Sequence, residues 1–592
     1  MKKAFPWVLL AACLLYVLSG FRPPSGKDGV LASVGRLPVL QGGRVKPLDT
    51  VARNALMSLR GKQSVTSPAG RLEPVAWLLD QVADPGSADE LKVFRIDDPD
   101  VLGLLGKRAE RGRYWSLGEL GGGLHELEAQ AERAHRVEPA FQTRFEKAVV
   151  TLYDRIGIYF RLRRTLALAE RGSSAAVIAE LEAALKAGGK KGPAPKLMEL
   201  AQRFGMLAEQ SYFLPLLPAA DEAPEAWTSV GAALLDAAGG APLRPGVREY
   251  AALLDAHRGR DLAGVEAAAR ALAALAEARV PGAARKASRE AFFNRLAPFS
   301  KGMALYVVVL LLASFSWLGW KPTLRDSAFW VLSLAFLLHT AGLLARMVLE
   351  GRPPVTNLYS SAVFVGWGGV LLALALERLF RLGIGSAVGA ALGFCSLLIA
   401  HHLSMSGDTM EMMQAVLDSN FWLATHVITI TIGYSSVFLA GALAHVYLFG
   451  RVLGRSDAPL RKALTQMTYG ILCFALLFTF IGTVLGGIWA DQSWGRFWGW
   501  DPKENGALLI LLWVAIILHA RRAGLVREKG LMVMAVFGNI VTALSWFGVN
   551  MLGIGLHSYG FMDQAALWLA VFTSSQVVVM ALALLPEGRG PK

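Results

Sequence analysis

ILCFALLFTFIGTVLGGIWADQSWGRFWGWDPKENGALLILLWVAIILHARR, residues 471–522, is two long apolar runs joined by a tryptophan-rich connection. Runs of this length suit membrane-spanning helices, because about 20 apolar residues at 1.5 Å rise cross a bilayer core. With the runs bounded at 466–488 and 506–522, the connection sits at a membrane surface. Within it Trp489, Trp494, Trp498 and Trp500 gather around Gly495, Gly499 and Phe497, and Asp501-Pro502-Lys503-Glu504 follows. An interfacial aromatic belt accounts for one or two tryptophans per helix end, since indole is amphipathic. Four of them within 489–500, beside Gly, Arg, Asp and Pro, read better as a flat platform for a planar ligand.

The pattern recurs outward from this stretch. Of 592 residues, 54% are hydrophobic and 18% charged, against roughly 25% charged in soluble domains. The deficit falls in apolar runs at about 303–320, 327–349, 358–376, 384–403, 423–450, 466–488, 506–522, 531–549 and 565–585. A further run at 4–21 follows Met1-Lys2-Lys3. A cleaved signal or a lipoprotein signal at Leu10-Ala11-Ala12-Cys13 would fit there, but the run continues apolar past Cys13, which favours an uncleaved anchor. The expected fold is an all-α polytopic membrane protein of about ten transmembrane helices. Its expected parts are an anchor at 1–21, a mainly helical extracytoplasmic domain at 22–300, and a transmembrane domain at 301–592 with the tryptophan loop at 489–505.

Residues 265–280, VEAAARALAALAEARV, carry helical spacing typical of the domain at 22–300. In LPVLQGGRVKPLDTVARNAL, residues 37–56, Gly42-Gly43 and Pro47 mark turns, and Asp49-Thr50 are placed to cap a helix starting near Val51. KAGGKKGPAPK at 186–196 reads as an exposed linker.

The net charge is +14, but many of the cations lie in short connections between apolar runs. With the N-terminus inside, inner loops hold Lys321 and Arg325; Arg378 and Arg381; Arg451, Arg455, Arg461 and Lys462; Arg521, Arg522, Arg527 and Lys529. Outer loops hold Arg352, Arg496 and Lys503, with no Lys or Arg at 404–422 or 550–564. This positive-inside asymmetry outweighs a nucleic-acid reading and puts the tryptophan loop on the outer side. Cys13, Cys395 and Cys473 all lie in apolar runs and form no disulfide framework or Cys-x-x-Cys pair. The sequence contains neither a Cys-x-x-Cys-His haem-attachment motif nor a P-loop.

Seven of the ten histidines lie in the membrane region: His339, His401, His402, His426, His445, His519 and His557. Ionisable groups at that depth are costly, which makes them candidates for function, and imidazole is an axial ligand of haem iron. His426 at the outer end of its helix and His557 in the loop NMLGIGLHSYGFMD are expected at the level of the tryptophans. Two imidazoles beside an aromatic platform could clamp a haem; each alone could equally be an interfacial histidine bonded to water or a carbonyl. His519, near an inner helix end, and His339, midway along its helix, could share an inner site, or His519 could be a plain interfacial residue beside Arg521 and Arg522. His401 and His402 read as interfacial and His445 as structural. His125, His135 and His257 have no motif around them.

The segment WGRFWGWDPKEN resembles the tryptophan-rich signature of haem-handling proteins in cytochrome c biogenesis, in particular the CcsA/ResC branch and the fused CcsBA synthases. GRPPVTNLYSS at 351–361, FWLATHVITITIGYSSVFLAG at 421–441, LILLWVAIILHARRAG at 509–524 and FGVNMLGIGLHSYGF at 547–561 carry the resemblance over nearly all of 327–561. It implies that His426 and His557 are external haem ligands and His519 a transmembrane ligand. It also implies His339 as a second transmembrane ligand, although fused members place that residue in their ResB-like half. LPVLQGGRVKPLDTVARN resembles a stretch of some extended members. Many CcsA members continue WDPKE with Thr-Trp; here Asn505-Gly506 follow, a Glu-Asn continuation similar to the CcmF branch.

The implied function is cytochrome c biogenesis: haem b moved to the outer face and attached covalently to a CxxCH apocytochrome c. On this resemblance the chain is a holocytochrome c synthase of haem-lyase type, acting alone or with a ResB-like subunit and a thiol-reducing protein. A haem exporter or chaperone serving a separate synthase, and a CcmF-like lyase component, are the alternatives. The implied site comprises His426, His557, His519 and His339 on iron and Trp489, Trp494, Trp498 and Trp500 against the macrocycle. Asp501 would orient the loop, and Arg496 or Lys503 would meet a propionate. The implied location is the inner membrane of a bacterium, with the domain at 22–300 outside. A structural membrane protein with an aromatic belt and no ligand is the remaining reading.

Overall fold

A computed structural model describes residues 4–68, 70–108, 112–139, 141–169, 172–187, 195–318, 321–413, 418–551 and 563–588. Most of the expected linker at 186–196 and residues 552–562 of the loop holding His557 lie outside the described residues. The chain divides into two compact units.

The first unit comprises Met1–Phe21, Ala297–Leu403 and Met413–Lys592. Its main helices are α1 (Phe5–Leu18), α2 (Pro298–Ser316), α3 (Lys321–Glu350), α4 (Leu358–Phe380), α5 (Ile384–Leu403), α6 (Ile428–Val452), α7 (Ala458–Trp494), α8 (Pro502–Arg522), α9 (Glu528–Ala543) and α10 (Asp563–Ala581). Among the described residues, nine helices are long and apolar enough to cross a membrane. The chain is therefore an all-α, multi-pass membrane protein. Helices serve here because lipid offers no partner to a backbone N–H or C=O, so each segment must satisfy its own. Helix α1 is 14 residues long, shorter than a full span.

The boundaries differ most at α7. The apolar run predicted a helix over 466–488 and a loop from 489; the helix instead runs 37 residues, from Ala458 to Trp494. That is roughly 55 Å at 1.5 Å per residue, well beyond a hydrocarbon core of about 30 Å. Its last turns therefore reach past the hydrocarbon with Trp489 and Trp494 still on the helix, and the loop shrinks to 495–501. The helix stops where Gly495 adopts φ 69° and donates its N–H to the Asp491 carbonyl at 2.8 Å, a left-handed cap that costs glycine least.

Helix α6 lies at the centre, packed against α4, α7 and α9. Two π-helical turns adjoin this core: Leu423–Val427, leading into α6, and Leu544–Gly548, following α9. Such turns insert an extra residue into the ladder and occur often at functional sites.

The second unit comprises Arg22–Leu296 and Ser404–Met412. It is mainly helical with three two-stranded antiparallel pairs, and Trp77, Phe94, Tyr159 and Phe204 are buried in its apolar core. The segment 37–56 forms a hairpin of β1 (Pro38–Gln41) and β2 (Arg44–Pro47), with Gln41 opposite Arg44 across Gly42-Gly43. The following helix starts at Leu48, earlier than the sequence reading placed it, with Pro47 at its N-cap and no side-chain cap. Asp49 and Thr50 are thereby released from capping. Asp49 pairs with Arg53 at 2.7 Å, and the Thr50 hydroxyl donates to Glu290 at 2.7 Å.

A buried charge cluster closes this unit. Arg44 donates to Glu290 at 2.6 Å and to Asp408 at 2.8 Å, and Lys46 donates to Asp408 at 2.5 Å. Two cations thus face two carboxylates, as burial of charge requires. Burial pushes the Asp408 carboxyl up, but Arg44 and Lys46 outweigh it and hold the group at about 2.

Candidate functional site

His426 lies in the π turn before α6. Its Nδ1 is 2.8 Å from the Gly482 carbonyl on α7. A carbonyl only accepts, so Nδ1 carries the proton and the neutral ring has its lone pair on Nε2. That arrangement, one ring nitrogen donating to a backbone carbonyl, is typical of metal-ligating histidines. One turn beyond Gly482 stands Gly486, where a Cβ would come within 2.6 Å of the imidazole Cε1. The bare backbone there admits the ring against the helix.

The imidazole lies edge-on to Trp489, with ring centroids 5.8 Å apart. Trp422 stacks nearly parallel to Trp489 at 11° and 6.3 Å, and its indole donates to Gln492 at 3.1 Å. His426, Trp489 and Trp422 therefore form one aromatic wall at the end of α7.

From Trp494 the chain enters the loop. Phe497 lies against Gly487, whose Cβ position would be 2.5 Å from the ring. Trp498 and Trp500 meet edge to face at 6.1 Å. Trp500 is the residue held out to the surroundings, 69% exposed, and it adopts φ 58°, a conformation costly for a bulky residue. The Asn505 amide, donating to the Trp500 carbonyl at 3.0 Å, holds it there. The Arg496 guanidinium folds over Gly499. Among the described residues, the buried Trp498 indole N–H has no acceptor.

The second half of the motif is a helix start. Asp501 caps α8, accepting from the Lys503 and Glu504 backbone N–H groups at 2.7 and 3.3 Å. Pro502 follows at the first helical position. Glu504 completes the capping box by accepting from Asp501 N–H at 3.2 Å, and it also takes the Gly499 N–H at 2.7 Å. Such a box satisfies orphan N–H groups that would otherwise be unpaired, and here it also fixes the loop. Asp501 and Glu504 are spent on this geometry. Lys503 is likewise committed: its ammonium donates to the Trp546 carbonyl at 3.1 Å and to Asn550 at 3.3 Å. The Trp546 indole in turn donates to Ser361 at 3.1 Å. A continuous set of hydrogen bonds so joins the loop, the second π turn and the start of α4.

His339 has different surroundings. It is fully buried, with Nδ1 against the Tyr306 hydroxyl at 2.9 Å and Nε2 against the Val363 carbonyl at 3.1 Å. Both ring nitrogens are engaged by α2 and α4. His519 is exposed on the last turn of α8, its Nδ1 bonded to the Ala515 carbonyl one turn back at 2.8 Å. None of these bonds links His339 to His519. His557 lies outside the described residues. His402 bonds to its own helix at Leu398, and His445 does so at Gly441.

Residues 355–557 match the family model described as cytochrome C assembly protein. The CcsA protein of Chlamydomonas reinhardtii is 34% identical over 244 residues, covering 39% of this chain and 68% of that one. CcsA of Guillardia theta is 30% identical over 296 residues, covering 45% of this chain and 97% of its own length. The chain belongs to the CcsA-like family of cytochrome c biogenesis proteins.

NrfI of Wolinella succinogenes is 35% identical over 296 residues, 47% of this chain, but the match spans only 32% of NrfI's length. The family-model match takes in His426, the loop, His519 and His557, and begins at residue 355, after His339. Sequence reading missed Trp422, Gly482 and Gly486 as neighbours of His426 in the candidate site. Signals for them existed: Trp422 stands four residues before His426, one helical turn away, and Gly482 and Gly486 have GxxxG spacing.

Proposed function

We propose that this chain presents haem at the end of α7 for covalent attachment to apocytochrome c. The observation that carries the reading is the His426–Gly482 bond, which gives a donor nitrogen of fixed tautomer beside the Trp489–Trp422 wall and one short loop from Trp498 and Trp500. The donor set fits a macrocycle with a central metal: an imidazole for iron, exposed indole for the ring face, and polar groups for the carboxylate edge. The unpartnered Trp498 N–H and the Arg496 guanidinium suit that edge. Lys503, engaged with Trp546 and Asn550, does not serve it, and Asp501 acts through the loop it caps rather than by touching ligand. His557 is the second external ligand in this proposal. His519 is a transient inner contact, and His339 a structural residue of the α2–α3–α4 bundle.

The chemistry then asks little of the protein beyond positioning. Each cysteine of a CxxCH segment adds across one haem vinyl group. A sulfur–carbon bond forms, the thiol hydrogen ends on the neighbouring vinyl carbon, and nothing leaves. The thiols must arrive reduced, so a thiol-reducing protein belongs among the partners. The second unit, at 22–296, is a docking body for apocytochrome or the counterpart of a ResB-like subunit. The positive-inside distribution supports an outer position for the loop, and the host membrane in this proposal is the inner membrane of a bacterium. The haem delivered is haem b.

The test is to express the full chain with an apocytochrome in cells lacking other synthases. Covalent haem on the target supports the proposal. Haem bound to this chain without attachment replaces it with a chaperone that serves a separate synthase. A purified protein with no Soret band under haem-replete conditions removes both.

A further inference from the structure

Helix α7 does more than lead to the loop. It touches His426 at two glycines one turn apart, and the two contacts differ in kind. Gly482 supplies its carbonyl to Nδ1 at 2.8 Å, and Gly486 supplies space, since a Cβ there would lie 2.6 Å from Cε1, 3.0 Å from Nδ1 and 3.2 Å from Nε2. The ring is a stiff group at the end of a short side chain, so it cannot absorb an intrusion of that size by bending away. It must rotate or leave the helix face. Gly482 is itself tightly placed, with a Cβ position 2.8 Å from Ile430 Cα, so α6 and α7 are in backbone contact immediately beside the imidazole. The π turn Leu423–Val427 changes the register of the chain just before α6. It thereby presents His426 to these two glycines rather than one position around the helix.

We infer that Gly482 and Gly486 are positioning residues for His426, fixing the tautomer and the plane of the imidazole so that Nε2 meets the haem iron. This rests on the haem-presentation reading above and deepens it. A second-sphere bond of this type affects ligand affinity by about 10–100-fold where it has been perturbed in metal sites.

The experiment uses the purified full chain carrying haem, and reads ferric and ferrous absorption spectra, haem content and melting temperature. Gly486→Ala is expected to shift the Soret and α bands and to lower haem content on the order of tenfold, with added free imidazole restoring the spectrum. Gly470→Ala is the control on the same helix, where a Cβ meets nothing within 4 Å, and its spectrum should stay native. Should Gly486→Ala fail to accumulate, Nδ-methylhistidine at position 426 tests the same bond with both glycines intact. Methylation removes the donor to Gly482 while leaving Nε2 able to ligate, and the same band shift is expected. A native spectrum in either of these two proteins, while His426→Ala has lost its haem, overturns the inference and leaves haem presentation standing. A native spectrum in His426→Ala overturns haem presentation itself.

Discussion

The surroundings of His426 and of His339 hold the same side chain in different ways. Around His339 three helices close completely: Tyr306 and Val363 take one ring nitrogen each, and Phe299 lies edge-on at 5.7 Å. Around His426 one nitrogen is held by a backbone carbonyl and the aromatic neighbours stand at the ring's edge. His339 is the deeper of the two, and depth first suggested function for it. The difference teaches that burial inside a membrane identifies a costly residue, while its role has to be read from the groups packed around it.

The comparison breaks most sharply under alanine substitution. His426→Ala should lower haem content by more than the 10–100-fold typical of second-sphere changes, with little change in melting temperature. His339→Ala should keep the Soret band and lose about 2–5 kcal/mol of stability, as buried large-to-small changes do; thermal melts in detergent read the loss. A bleached His339→Ala protein of native stability would reverse the assignment.

A buried polar cluster outside the spans extends the contrast. Asp408 is held at about 2 by Arg44 and Lys46 against the cost of burial. Because its folded pKa lies below an unfolded value near 3.9, its contribution is present in full above that pH and is lost as pH falls through about 2. The expected loss is on the order of 2 kcal/mol. Asp408→Asn should flatten this acid limb between about pH 4 and pH 2, measured by denaturant melts across that range, and leave the haem spectrum at neutral pH untouched.

Tyr306→Phe sharpens the His339 side. It leaves one imidazole nitrogen without its partner and should cost about 1–3 kcal/mol with no change in haem bands. On the other side, Asp501→Ala removes the cap of α8 and should cost about 1 kcal/mol. The loop it anchors should loosen, lowering attachment yield, and Asp501→Ser should recover most of both. Equal yields from the Ala and Ser variants would detach the cap from function.

Much of the fold was legible in the sequence. The apolar runs placed the membrane helices because twenty apolar residues have few uses outside a bilayer, and 327–561 carried its family resemblance openly. Boundaries were less legible. Trp489 and Trp494 read as loop because tryptophan marks interfaces, yet tryptophan is compatible with a helix, and α7 continues until Gly495. Asp49 and Thr50 read as a cap because such residues favour that place, yet a hairpin ending at Pro47 starts the helix first and turns them toward Arg53 and Glu290.

The sequence by itself determined that this chain spans a membrane, that its tryptophans cluster at one connection, and which histidines are candidates, because hydropathy and residue type are local properties. Only the tertiary structure decided what those residues do to one another. The Gly482 carbonyl reaches His426 across 56 positions, and Lys503 reaches Trp546 across 43. Tyr306 and Val363 take His339 from two other helices. A hydrogen-bond partner is fixed by which backbones come close, and close approach depends on how whole helices pack, which no short stretch of sequence encodes.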